Sequence, residues 1–239
     1  MAENKYPKLH IFTTGKYAEE MEKLLNYYHN GDENIPSKPL GIFQWKIKES
    51  LKKFQKEEDL PVTGISDKLT WKILRGERGT TDYDFRNNIN PRGQQTTSTC
   101  WRSATAMLLG KLETEIGNGT AKFSSDNGID MSKDNLKLFA KEQGLKMVDG
   151  AGIKAANLAF LIKNHSCLML AILDDFYRDT MGNQDSHFII LARMRGISGD
   201  WKSDETALMA FDPMPLNTGS SIRASHTNLG KWIRYIFYK

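Results

Sequence analysis

A chain of 239 residues, 39% hydrophobic and 26% charged with a mean hydropathy of −0.52, has the makeup of one large or two ordinary soluble domains. That composition excludes a disordered chain, and no apolar run approaches membrane-spanning length. Two cysteines are too few for a disulfide framework or a four-cysteine metal site, and a net charge of +4 spread along the chain marks neither a nucleic-acid-binding stripe nor a membrane patch.

Residues 1–10 carry charge but neither the apolar core nor the small-residue cleavage site of a secretory signal. Three routes stay open: a cytosolic protein, one that is cytoplasmic before secretion or delivery without a classical signal, and one whose leader is missing. Next, Tyr17, Met21, Leu24, Leu25 and Tyr28 share one helical face, and Phe43, Ile47, Leu51 and Phe54 share a second. A third helix is expected from Ser66, an N-cap residue type, through Leu69, Trp71 and Ile73 to a stop at Gly76. Residues 12–77 therefore read as a three-helix module with Phe54, Trp71 and Leu74 in its core.

Within that module, Phe54-Gln55 ends a helix, Leu60 and Gly64 mark a turn, and Thr70-Trp71 opens the next helix. In these motifs residues 15–76 resemble the three-helix peptidoglycan-binding-like domain, and the resemblance implies docking to the cell wall. Around residues 31–41 the chain departs from that domain's usual Asp-Gly-x-Phe-Gly turn and keeps only Leu40-Gly41-Ile42-Phe43.

The polar stretch 76–93 has neither helical nor strand periodicity, so residues 78–92 are assigned as a linker and 93–239 as a second domain. Helices are expected near residues 100–112, 133–143 and 154–163, and strands at 167–173, 187–194, 207–211 and 232–238. Helices first and antiparallel strands afterwards describe an α+β domain.

The chemistry concentrates at Gln94-Gln95-Thr96-Thr97-Ser98-Thr99-Cys100-Trp101. With Ser98 or Thr99 as cap, Cys100 sits in the first turn of a helix, where unpaired N–H groups and the positive end of the dipole favour a thiolate. Trp101, Ala104 and Leu108 form the face that holds this helix to the core. A thiolate needs a base, and of the five histidines only His187 follows a polar loop (178–186) and opens an apolar run, Phe188-Ile189-Ile190-Leu191. His10 and His29 belong to the helical module, His165 precedes a strand, and His226 lies in a polar stretch. Asp212 ends the neighbouring run before Pro213, where an antiparallel pairing brings it beside His187 as the orienting acid. The oxyanion formed by thiol attack needs donors, which the Cys100 N–H and the side chain of Gln94 or Gln95 offer; Gln94 is chosen. Cys167, beside His165 without further ligands, is read as core, and no metal or cofactor is implied.

In this order of Gln, Cys-Trp, a distant strand-opening His and Asp-Pro, residues 90–239 resemble the papain-like cysteine peptidases. Within them the likeness is to the compact bacterial branch of avirulence-effector proteases and double-glycine peptidases, carried also by Leu136 to Leu145 and Leu158 to Leu173. The resemblance implies Cys100 as nucleophile, His187 as base, Asp212 as orienting acid and Gln94 as oxyanion donor. The chain departs from papain in having Asp as third member and Ser98-Thr99 ahead of Cys100-Trp101. The expected function is hydrolysis of amide bonds through an acyl-enzyme, directed by the helical module to peptidoglycan stem peptides. Alternatives are a delivered bacterial effector or toxin that cleaves a host or rival protein and meets a cognate inhibitor or immunity protein, a transglutaminase-type acyltransferase, and a non-catalytic binding protein.

Overall fold

A computed structural model describes residues 5–29, 35–36, 38–124, 127–173 and 186–239. The N-terminal module is built from α1 (Lys16–Tyr28), α2 (Trp45–Glu57) and α3 (Lys68–Leu74). Met21, Leu25, Ile47, Leu51, Phe54 and Trp71 are all buried at its centre, which is why the apolar spacing of the helices is so regular. The Phe54-Gln55 signature has a physical basis. Gln55 is buried, its Oε1 accepts from the N–H groups of Thr63 (3.0 Å) and Gly64 (2.8 Å), and its Nε2 donates to the Ile65 carbonyl (2.9 Å). One amide side chain thereby satisfies a whole turn.

The third helix begins later than expected. Asp67 is its N-cap, with a carboxylate that accepts from Thr70 N–H at 2.7 Å. Ser66 does other work: its hydroxyl accepts from Leu9 N–H and donates to the Pro7 carbonyl, tying down the incoming chain.

The rest of the chain forms β1 (Thr80–Asp84), α4 (Cys100–Leu109), α5 (Lys133–Glu142), β2 (Lys146–Asp149), α6 (Ala155–His165), β3 (Leu168–Ile172), β4 (His187–Ile197), β5 (Ala207–Asp212), β6 (Ser220–Ser225), α7 (His226–Leu229) and β7 (Ile233–Tyr238). The expected α+β organisation is what is found. The seven strands make one antiparallel sheet in the order β2-β7-β3-β4-β5-β6, with β1 added to the second half of β4 beyond the end of β3. Residues 78–92 are therefore not a plain linker, because β1 lies among them. Its Thr-Thr-Asp-Tyr-Asp run reads as polar since it is only partly buried, and its order comes from pairing with β4. Strands β2 and β6 escaped the sequence reading for the same reason, their exposure being mixed and their runs short.

Strands β3 and β4 are buried on both faces and so read as continuous apolar runs rather than alternating ones. On one face Phe188, Ile190 and Ala192 pack with Trp101, Met107, Leu136 and Phe139 of α4 and α5. On the other, Ile189, Leu191 and Met194 pack with Leu158, Ala159 and Ile162 of α6. Among the described residues no helix is long and apolar enough to cross a membrane.

Candidate active site

Cys100 is the first residue of α4 and is buried against the centre of the sheet. Thr99 is the N-cap by position, yet its side chain does not cap; its hydroxyl turns back to donate to the Thr96 carbonyl at 3.1 Å. Of the two residues expected as cap, Ser98 or Thr99, the one at the N-cap position thus leaves the role unfilled, and its oxygen does not compete for the amides of the first turn. Trp101 anchors the helix: it is fully buried, meets the edge of Phe139 at 5.5 Å and donates from Nε1 to the Asn127 carbonyl at 2.9 Å. These contacts fix the rotation of α4 and hence where its first side chain points.

His187 opens β4 and Asp212 closes β5, and the antiparallel pairing of these strands sets the two ends side by side. His187 Nε2 lies 2.6 Å from Asp212 Oδ1, with both side chains buried. The same oxygen accepts from Met214 N–H at 2.8 Å, so the carboxylate is held from two directions. With Nε2 committed to Asp212, Nδ1 is the ring nitrogen left for the hydrogen bond to Cys100. Burial alone pulls the imidazole pKa down; the charge of Cys100 together with the bonds from Asp212 and Cys100 outweighs it and pushes His187 up to about 10. A cysteine at a helix start facing a buried imidazole that a carboxylate holds in place is the arrangement in which a thiol can pass its proton to a base and act as a nucleophile.

Gln94 is fully buried next to this centre, its Nε2 donating to the Thr96 carbonyl at 2.7 Å while its buried Oε1 makes no hydrogen bond among the described residues. Gln95, the other glutamine considered, is exposed. The backbone of Gln94 is clasped by the loop that leaves Asp212: Gln94 N–H donates to the Pro213 carbonyl and Asn217 N–H to the Gln94 carbonyl, both at 2.9 Å. Two glycines allow that clasp. A Cβ on Gly93 would lie 2.3 Å from Thr218 N, and one on Gly219, whose φ is +65°, would lie 2.9 Å from the Asp212 carbonyl oxygen. Gly93 and Met214 are site-supporting residues that sequence reasoning missed; the glycine immediately before Gln94 was the available signal.

An open cleft of about 520 Å³ adjoins the clasp, lined by Arg92, Gly93, Gln95, Leu112, Glu113 and Asn217 among others. Glu113 reaches it while accepting from Ser103, one turn along α4 from Cys100, at 2.6 Å.

The remaining candidates lie elsewhere. Cys167 is buried before β3, its thiol pushed up to about 11 by burial, and both cysteines are free thiols. The His29 side chain is buried in the module against the Ser50 carbonyl, His165 ends α6 beside the Tyr238 ring, and His226 is buried at the start of α7. Residues 178–185 of the polar loop ahead of His187, and residues 31–34 of the departing turn in the module, lie outside the described residues. Among the described residues no group of three or more His, Cys, Asp or Glu side chains could hold a metal ion.

Comparison with known proteins adds the following. Residues 14–74 match the peptidoglycan binding domain family, so the chain carries such a domain at its N-terminal end. No curated protein matches the chain. Among solved structures, a candidate C39-like peptidase from Bacillus anthracis aligns at 13% identity and a TM-score of 0.43, over 65% of this chain and 96% of that one.

Proposed function

We propose that the chain is a cysteine peptidase that hydrolyses amide bonds of peptidoglycan stem peptides, with Cys100 as nucleophile, His187 as base and acid, Asp212 as orienting carboxylate and Gln94 as oxyanion donor. The observation that carries the reading is the buried His187, bonded through Nε2 to Asp212 at 2.6 Å and through its other ring nitrogen to Cys100 at a helix start. The peptidoglycan binding domain supports the wall as the place of action. A papain-like arrangement, with residues 93–239 and the added strand β1 as the catalytic domain, is the frame in which these parts make sense.

In the first step the Cys100 thiolate attacks the scissile carbonyl carbon, and the carbonyl oxygen takes up the displaced electron pair. The Cys100 N–H and Gln94 Nε2 stabilise that oxyanion. Collapse breaks the carbon–nitrogen bond, His187 hands its proton to the departing amine, and a thioester remains on Sγ. Water then attacks the thioester while His187 takes one of its protons, and the new carboxylate leaves Cys100 free. Asp212 keeps the ring oriented throughout and balances the imidazolium charge.

Digestion of soluble muropeptides in ¹⁸O-labelled water tests the proposal. One ¹⁸O in the new carboxyl group, together with a new free amine, is the expected product pair. Amide products formed with an added amine and carrying no ¹⁸O would point to an acyltransferase. Intact muropeptides beside cleavage of a protein substrate would move the target from the wall to a protein, as expected of a delivered effector.

A further inference from the structure

Past Ala192, the sheet face covered by α4 and α5 changes character. The register of β4 against β5 shifts between Leu191 and Arg193, so Arg193, Arg195 and Ile197 continue the side occupied by Phe188, Ile190 and Ala192. Cross-strand partners then set Asp84, Arg193, Met209 and Arg223 in one row and Asp82, Arg195, Ala207 and Ser225 in the next. Within this surface, among the described residues, the guanidinium groups of Arg86, Arg193, Arg195 and Arg223 meet only two carboxylates of their own half, Asp82 and Asp84.

The two missing negative charges come from the turn after α2 in the helical module. Asp59 is 3% exposed and accepts from three arginines: Arg86 at 2.5 Å, Arg193 at 2.6 Å and Arg223 at 2.8 Å. Its backbone sits in the left-handed region at φ 54°, a conformation uncommon for a residue with a Cβ. Beside it, Glu58 accepts from Arg195 through its carbonyl at 2.8 Å and its carboxylate at 2.7 Å. Ile197 and Ala207 of the sheet complete the contact by packing into the core of the module. Parting the halves would strip three guanidinium groups of a shared carboxylate and expose apolar side chains at once.

We infer that the helical module is a structural half of one cooperative unit, fastened through Asp59, and not an anchor swinging on a tether. The arginine-bearing face of the sheet is a docking surface whose partner is this chain's own acidic turn at Glu58 and Asp59. Because β4 also carries His187, the module and the catalytic cleft keep a fixed attitude. If the wall-directed reading holds, the bonds within reach then lie at a set distance from where the module grips the wall.

Calorimetric unfolding of the full chain tests the inference without any substrate. The wild type is expected to melt in a single transition, and Asp59→Asn in a single transition about 10 °C lower. Should Asp59→Asn fail to fold, Arg223→Lys carries the test; it keeps a cation, loses the bond to Asp59 Oδ1, and is expected to melt several degrees lower. Two separate transitions in the wild type, or a folded variant melting within about 1 °C of it, would overturn the inference.

Discussion

Replacing Asp212 with asparagine removes a negative charge while leaving the acceptor atom almost where it is. Oδ1 alone accepts from both His187 Nε2 and Met214 N–H, at 2.6 and 2.8 Å. The Met214 N–H selects the oxygen end of the new amide for that position, so the imidazole keeps its tautomer and the loss is that of charge. A hydrogen bond to a buried charged group contributes about 1.5–3 kcal/mol, so His187 should titrate about one to two pH units lower than in the wild type. Proton transfer from the Cys100 thiol to the imidazole becomes less favourable by the same amount, so alkylation of Cys100 by iodoacetamide near pH 6 should slow, by up to about 10-fold. Histidine NMR titration and alkylation kinetics read the two effects without a known substrate. Asp212→Ala, which also abandons Met214, should lose more than the asparagine variant. The sign for stability follows from the raised value of about 10 against an ordinary 6.5: the contribution is complete below about 6.5 and is lost as pH rises through about 10. An Asp212→Asn protein with an unshifted His187 titration and unchanged alkylation would refute this account of the centre.

Three further outcomes follow from the same geometry. Gln94→Ala should cut peptide hydrolysis about 10²- to 10³-fold while leaving Cys100 alkylation nearly unchanged, because the oxyanion exists only during the reaction; equal loss of both would deny the glutamine that role. Gly93→Ala drives a Cβ into backbone 2.3 Å away and should cost about 3 kcal/mol, read as a melting temperature about 10 °C lower; an unshifted melt would contradict the clasp. Mass spectrometry after brief treatment with iodoacetamide at pH 7 should find one adduct per native chain, on Cys100 and not on Cys167, whose thiol burial pushes up to about 11 and which has no imidazole partner like His187 among the described residues. Equal labelling of the two cysteines would show that α4 does not activate its first residue.

Much of this architecture was legible in the sequence because burial writes periodicity. The helical faces of α1 and α2 and the apolar runs of β3 and β4 are dictated by what they pack against, so their spacing alone marks them. Cys100, His187 and Asp212 stood out because each sits where an apolar element starts or stops, and the structure brings the three together. What stayed hidden depends on partners distant in the chain. Strand β1 is polar in itself and takes its order from pairing with β4; Thr99 has the residue type of a cap but spends its hydroxyl on Thr96; Ser66 ties the N-terminal segment while Asp67 does the capping. Arg193 and Arg195 interrupt an apolar strand, a pattern that makes sense once Asp59 and Glu58 of the other half are seen above them.

The central claim, that Cys100 cleaves wall stem peptides, is tested most directly by the muropeptide profile of purified bacterial sacculi incubated with reduced wild-type protein and with Cys100→Ala. New stem-peptide fragments released by the wild type alone are the predicted result. Matching profiles from the two proteins, with the wild-type thiol shown to be reactive in the same sample, would contradict it.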